Sequence, residues 1–142
     1  MTSKFTAIVR IKKSVMQKAE SLLAQARNAI RANKLKIENI KEELHSVIVP
    51  KSGTISKMRQ MQLYKDSYRA ALNVEQWRLS QNKLLEQNRR AELADAMREY
   101  EKFKFLESDD IEKQVLKLKK EEAKMLDEVG SITYTLRNKG YL

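Results

Sequence analysis

The chain has 142 residues, enough for one domain, and its 34% of charged residues lies well above the usual quarter of a globular protein. Three glycines, one proline and no cysteine exclude a turn-rich β fold, disulfides, Cys-ligated metal centres and thiol catalysis. A net charge of +10 favours partners with acidic surfaces, nucleic acid or anionic lipid.

The first predicted element is a helix over about residues 4–47. Its apolar residues recur in steps of three and four, the spacing of a coiled-coil seam. This predicted seam consists of Ile8, Ile11, Val15, Ala19, Leu22, Ala26, Ala29, Asn33, Ile37, Ile40, Leu44 and Val47. Asn33 is its one polar member, and a buried Asn fixes register at some cost in stability. Consecutive four-residue steps at 11-15-19 and 29-33-37 predict local unwinding of a supercoil.

The same helix carries most of the excess positive charge. Residues 1–36 contain nine basic side chains and one acidic side chain, Glu20, for a net charge of +8. Residues 107–142 contain seven basic and eight acidic side chains. The first third of the chain is therefore a basic arm that the C-terminal segment does not neutralise.

A turn is predicted over residues 48–54, because Pro50 and Gly53 form the one close cluster of helix breakers in the sequence. The hydroxyl side chains around it are candidate N-caps for the helix that follows. These candidates are Ser52, Thr54 and Ser56.

A second, longer helix is predicted over about residues 55–130. Its apolar stripe begins with Met58, Met61, Tyr64, Tyr68, Ala71, Val74 and Trp77. The stripe is diluted over 78–92, which we expect to lie opposite the small and polar residues of 19–36. Residues 109–112 resemble a capping box, so a kink near 107–110 stays open. Gly130 is expected to end the helix and to leave a loose tail over 131–142.

One sharp turn between two long helices predicts an all-α fold, a long antiparallel two-helix coiled-coil hairpin with a longer and kinked or continuous second helix. No apolar run is long enough to span a membrane, and the N-terminus lacks the apolar run of a secretory signal.

The sequence offers no catalytic constellation. His45 is the one histidine, and glycines at 53, 130 and 140 cannot build a phosphate loop. Paired carboxylates such as Glu121-Glu122 fit a solvated helix face. We therefore predict that the chain is not an enzyme and that it uses no metal, no cofactor and no small-molecule substrate.

Several segments together resemble the FliJ family, the small coiled-coil component of the bacterial flagellar type III export apparatus. The segments of this sequence that carry the resemblance are Phe5-Thr-Ala-Ile-Val-Arg-Ile-Lys-Lys13, Ala19-Glu20, Leu22 to Ala26, Tyr64 to Leu72, and the closing run 117–129 with its Leu126-Asp127-Glu128-Val129 ending. Chain length and basic balance agree with that family as well.

The resemblance implies a cytoplasmic protein that is peripherally associated with the inner membrane and acts like the central stalk of a rotary ATPase. Its implied partners are the export ATPase ring, into which both chain ends insert, the cytoplasmic part of the membrane export gate, and export chaperones. On this basis Ile8, Ile11 and Val15 are expected to pack against Met125, Leu126 and Val129. The exposed contacts to the ring would be Arg10, Lys12 and Lys13.

Two alternatives remain open at the level of sequence. A basic coiled coil could bind nucleic acid or an anionic membrane through the basic arm, although no nucleic-acid-reading motif is present and no nucleic-acid partner is expected. The chain could also be a structural coiled-coil homodimer.

Overall fold

A computed structural model describes residues 1–47 and 53–140 of the chain. It contains two α-helices, α1 over Thr6–Ser46 and α2 over Ile55–Asn138, and the described residues include no strand. The prediction of an all-α fold built from two long helices is confirmed. Most of the predicted turn, including Pro50 and Ser52, lies outside the described residues.

Both helices begin with a hydroxyl cap. At the start of α1, Ser3 accepts a hydrogen bond at Oγ from the Phe5 backbone amide at 3.1 Å, and its own amide donates to Thr6 Oγ1 at 3.0 Å. At the start of α2, the Lys57 amide donates to Thr54 Oγ1 at 3.3 Å. Thr54 is therefore the N-cap among the predicted candidates, because its side chain satisfies an amide that has no partner within the helix.

The expectation that helix ends at Gly130 is wrong, since α2 continues to Asn138. A single glycine inside a helix costs about 1 kcal/mol relative to alanine, which weakens a helix without stopping it. Gly140, just beyond the end of α2, has a left-handed backbone at φ 77°, and its amide donates to the Arg137 carbonyl at 3.2 Å. The expected loose tail over 131–142 is thus helical as far as Asn138.

Helix α2 also runs without interruption through residues 107–110. The Asp109 carboxylate lies 3.0 Å from Lys113 Nζ, one turn further along. No second helix therefore starts at these residues, and the possible kink there is not an interruption of the helix.

The chain forms two compact units, each containing a segment of both helices. The first unit comprises Met1–Ser14 with Arg98–Leu142, and the second comprises Val15–Met97. Within each unit, residue numbers rise along α1 while those of their partners fall along α2. The pairs that show this are Ser3 with Asp110 and Lys12 with Glu99 in the first unit, and Arg27 with Glu86 and Asn33 with Glu75 in the second. The two segments are therefore antiparallel, as expected for a hairpin.

The face of α1 that is turned away from solvent follows a strict alternation of four- and three-residue steps. Its buried and half-buried positions are Phe5, Val9, Lys12, Met16, Ala19, Leu23, Ala26, Ile30, Asn33, Ile37, Ile40, Leu44 and Val47. This spacing is compatible with coiled-coil packing. The predicted seam is right at most positions from Ala19 onward but wrong at Ile11, which is 61% exposed, at Val15 and at Ala29. Ile8 and Leu22 are half-buried, and there the observed face passes through the next residue, Val9 or Leu23. The two predicted irregularities in the repeat are therefore absent.

The inward-facing residues of helix α2 follow the same alternation of three- and four-residue steps. Its inward positions are Met58, Met61, Lys65, Tyr68, Leu72, Glu75, Leu79, Asn82, Glu86, Arg89, Leu93, Ala96, Tyr100, Phe103, Glu107, Asp110 and Gln114. Trp77, expected in the seam, is 63% exposed, and Tyr64 and Val74 are exposed too. The predicted apolar stripe of α2 is wrong at these positions because several residues that face α1 are polar, while several residues on the outward face are apolar.

Candidate protein-binding surfaces

A buried polar joint lies in the middle of the second unit. Asn33 is 5% exposed, and its Nδ2 donates to the Glu75 carboxylate at 2.8 Å and to the Glu75 carbonyl at 3.2 Å. Asn82 Nδ2 donates to Asn33 Oδ1 at 3.2 Å, and Arg78 donates to the other Glu75 carboxylate oxygen at 2.8 Å. The amide and the carboxylate thus hold each other across the two helices, and this fixes which residues face each other.

A second ion-pair cluster surrounds Glu86. Its Oε1 accepts hydrogen bonds from Arg90 at 2.6 Å and from Arg27 at 3.4 Å. The Arg90 hydrogen bond lowers the pKa of the Glu86 carboxyl, and partial burial acts against that effect. Together with the polar joint, this contact confirms that 19–36 lies opposite 78–92. Among the described residues, no buried side-chain nitrogen or oxygen lacks a hydrogen-bond partner.

The N-terminus of α1 is tied to α2 inside the first unit. Ser3 Oγ donates to Asp110 Oδ2 at 2.6 Å, and Gln114 Nε2 donates to Asp110 at 3.1 Å and to the Thr2 carbonyl at 3.3 Å. The Ser3 hydrogen bond is the main reason why the pKa of Asp110 is lowered. The start of α1 therefore sits against residues 110–114 of α2.

The three basic residues expected on the surface near this end are not equivalent. Lys12 lies in the seam, with its Nζ 3.6 Å from Glu99 and 5.5 Å from the centre of the Phe103 ring. Its ammonium group lies over the aromatic ring and also pairs with the carboxylate. The expectation that Lys12 is freely exposed is wrong. Arg10 and Lys13 are exposed and remain candidates for a partner contact.

Beyond Gln114 and Val115, helix α2 has no helix beside it within the first unit. In residues 116–140, every residue except Thr133 is exposed. We call residues 116–138 the distal segment. Met125 is 64% exposed, and Leu126 and Val129 are equally accessible. The expected packing of these three against Ile8, Ile11 and Val15 is therefore wrong, because α1 starts opposite Asp110 and does not reach them.

An outward stripe of apolar residues crosses α2 in the second unit. Its members are Leu63, Val74, Trp77 and Leu84, all exposed, and their spacing places them on one side of the helix. Val74 and Trp77 were predicted to belong to the stripe that packs in the seam. Large exposed apolar groups on one face are typical of interaction surfaces.

The described residues include no cluster of His, Cys, Asp and Glu side chains that could hold a metal ion. None of the helical segments described is long and apolar enough to cross a membrane. His45 lies exposed in the last turn of α1. The features of these residues that can bind a partner are therefore the apolar and charged faces of the two helices.

A family model described as flagellar FliJ protein matches residues 1–139. The chain belongs to the FliJ family. No curated protein and no solved structure matches the chain. FliJ proteins are non-catalytic components of flagellar protein export, and the resemblance drawn from the opening and closing helical segments is confirmed.

Proposed function

We infer that this FliJ chain binds the flagellar export ATPase ring in the manner of a central stalk and contacts the cytoplasmic part of the membrane export gate and export chaperones. It would do so in the cytoplasm, peripherally associated with the inner membrane. The observation that carries this proposal is the family match over residues 1–139, nearly the whole chain.

The first unit offers the surface chemistry that such a contact needs. Arg10 and Lys13 are exposed on α1, and Met125, Leu126 and Val129 are exposed on α2. Apolar groups supply binding energy when a partner covers them, and rim charges steer the approach of an acidic surface. Ile8 is half-buried and Ile11 is exposed on the same unit, so both can extend the apolar part of the contact.

The test uses the purified cognate export ATPase and measures its turnover and ring formation with and without this protein. The double variant Arg10→Glu, Lys13→Glu should keep the helical spectrum of the parent, because exposed charge changes alter stability by about 0.5 kcal/mol or less. Its stimulation of the ATPase should fall, and binding of the parent should weaken as salt is added.

The matched control is Lys34→Glu, Lys36→Glu, which makes the same change in net charge at exposed positions of the same helix. This control should stimulate the ATPase as the parent does. Equal loss in both double variants would mean that bulk charge, rather than these two residues, drives binding. If the parent itself has no effect on the ATPase, the proposed function is wrong.

The +8 charge of residues 1–36 favours one competing function, binding of nucleic acid. That function predicts retention of bare DNA or RNA with a steep dependence on salt, since basic side chains displace counterions from the phosphates. Both charge-reversal variants would lose that retention, whereas the ATPase contact separates them.

A further inference from the structure

The distal segment carries an apolar seam that no part of the described chain covers. Its positions, with the half-buried Ile111 and Val115 that lead into it, are Ile111, Val115, Leu118, Glu122, Met125, Val129, Ile132 and Leu136. The steps alternate strictly between four and three residues, and Glu122 is the one polar member. Each of the seam positions from Leu118 to Leu136 is exposed.

This seam is not the continuation of the face that packs against α1. Continuing the inward repeat of α2 past Asp110 and Gln114 would give Lys117, Glu121, Lys124, Glu128, Ser131 and Thr135, all of them polar. The apolar seam lies one residue further on, which turns it by about 100° around the helix. The distal segment therefore has a face of its own, built for a different partner from α1.

The repeat indicates that the partner is another helix. A repeat of 3.5 residues keeps an apolar face in line with a second helix over many turns, which is the requirement of a coiled coil. A lone helix gains nothing from such a face in water, since most helical stability comes from packing an amphipathic face.

We propose that the distal segment pairs with the distal segment of a second copy of this chain, in an antiparallel two-helix contact. Glu122 decides the direction of pairing. Parallel pairing in register would place the two Glu122 carboxylates against each other in the seam, and like charges at such positions are unfavourable. Antiparallel pairing centred near Asp127 places each Glu122 opposite Ile132 of the other copy, well away from its own counterpart.

The same arrangement matches the remaining positions. Leu118 then faces Leu136 of the second copy, and Met125 faces Val129. The twofold axis passes near Asp127, so Leu126, which is exposed beside the seam, lies within one residue of the axis.

Charge favours this segment over the rest of the molecule as the site of self-association. Residues 116–138 contain five basic and four acidic side chains, whereas the whole chain carries +10. Two copies meeting at their basic arms would repel each other, and two distal segments would not. Because only about 28 Å of helix is paired, the interface is at the small end of specific contacts, and a dimer with a Kd in the micromolar range is expected.

The direction of pairing can be read with single cysteines, because the chain has none of its own. With a short thiol crosslinker, Leu126→Cys should link two copies efficiently, whereas Leu118→Cys alone should not. A mixture of Leu118→Cys and Leu136→Cys chains should crosslink. Leu63→Cys, at an exposed leucine of the second unit, is the control and should stay unlinked. A product from Leu118→Cys alone would mean parallel pairing and would overturn the arrangement.

Sedimentation equilibrium of the full chain from about 1 to 200 µM tests the dimer itself. Val129→Glu should raise the Kd at least about tenfold by placing a charge in the seam. Glu122→Leu should lower the Kd, and Leu63→Glu should leave it unchanged. A parent that stays monomeric over the whole range, or equal effects of Val129→Glu and Leu63→Glu, would refute the proposal.

This inference does not rest on the proposed function. The dimer and the ATPase contact would use the same face, so a chain bound to the ring is expected to be a monomer. If the protein stimulates the ATPase but does not dimerise, only the proposed self-association is refuted. If it dimerises but does not stimulate the ATPase, only the proposed ATPase contact is refuted.

Discussion

At the scale of single residues, the seam of this FliJ protein is organised by polar groups as much as by apolar ones. Asn33 and Glu75 are both nearly inaccessible and are bonded to each other. An apolar pair at the same positions would pack in several registers, since leucine and isoleucine accept any apolar neighbour. The Asn33 amide needs a hydrogen-bond acceptor opposite it and the Glu75 carboxylate needs a donor, so this pair gives up some stability in return for one alignment of the helices.

Replacing one partner of the joint should therefore cost more than replacing both. Asn33→Ala leaves the Glu75 carboxylate without its amide donor and should lower the free energy of unfolding by about 1 to 3 kcal/mol. Asn33→Leu combined with Glu75→Leu should be close to the parent or more stable, because no buried polar group is left unsatisfied. Denaturant unfolding of the two single variants and of the double variant gives the coupling free energy between the two side chains. Strictly additive losses would show that the two side chains do not stabilise each other.

At the scale of elements, α2 extends beyond Gly130, where the sequence predicted that it would end. The reason is that Gly130 and Gly140 have different roles in the helix. Gly130 sits inside helix with open space around its Cα, so an added Cβ meets no atom within 4 Å. Gly140 holds a left-handed backbone that other residues rarely adopt. One glycine is a weak point in the distal segment, and the other is the C-terminal cap of the helix.

These two roles predict opposite effects of the same substitution. Gly130→Ala should stabilise the distal helix by about 1 kcal/mol, because alanine loses less backbone entropy on folding. Gly140→Ala should loosen the last turn, because alanine is strained at that backbone conformation. Amide hydrogen exchange over residues 125–138 is the measurement, with slower exchange expected in the first variant and faster exchange in the second. A slowing in both would mean that Gly140 is not a cap.

At the scale of the whole molecule, the antiparallel pairing and its end point determine which surfaces stay free. The Ser3 hydroxyl reaches Asp110, so α1 begins there and the remainder of α2 is left to other partners. Had the chain paired a few turns further along, Met125 and Val129 would be core residues and the distal segment would be short. The availability of the distal segment is thus a consequence of register.

Paired cysteines can locate this end point in solution. Ser3→Cys with Asp110→Cys should form a disulfide within one chain, since the two parent side chains are in contact and the chain has no other cysteine. Ser3→Cys with Val129→Cys is the matched control and should form none within a chain. A non-reducing gel at low protein concentration separates the two outcomes. A disulfide in the control pair alone would mean that α1 and α2 pair in a register several turns away from the one described.

The sequence by itself determined the class of fold, the two long helices and the place of Asn33 in the seam, and it offered Thr54 as one of three candidate caps. These features depend on local periodicity, on breakers and on capping chemistry, which short stretches of sequence encode. The closing Leu126-Asp127-Glu128-Val129 run also pointed to the right family. All of this could be read before any contact between the helices was known.

Only the tertiary structure decided which residues of each helix face inward. Lys12 rather than Ile11 lies in the seam, where its ammonium group is placed over the Phe103 ring and within reach of Glu99. Trp77 is outside because the polar Glu75 faces Asn33. Two possible seams on the same helix can differ by a shift of a single residue, and the amino-acid pattern of one helix alone does not show which of the two faces the other helix. The pairing contacts between α1 and α2 select the phase, and with it they leave the distal segment uncovered.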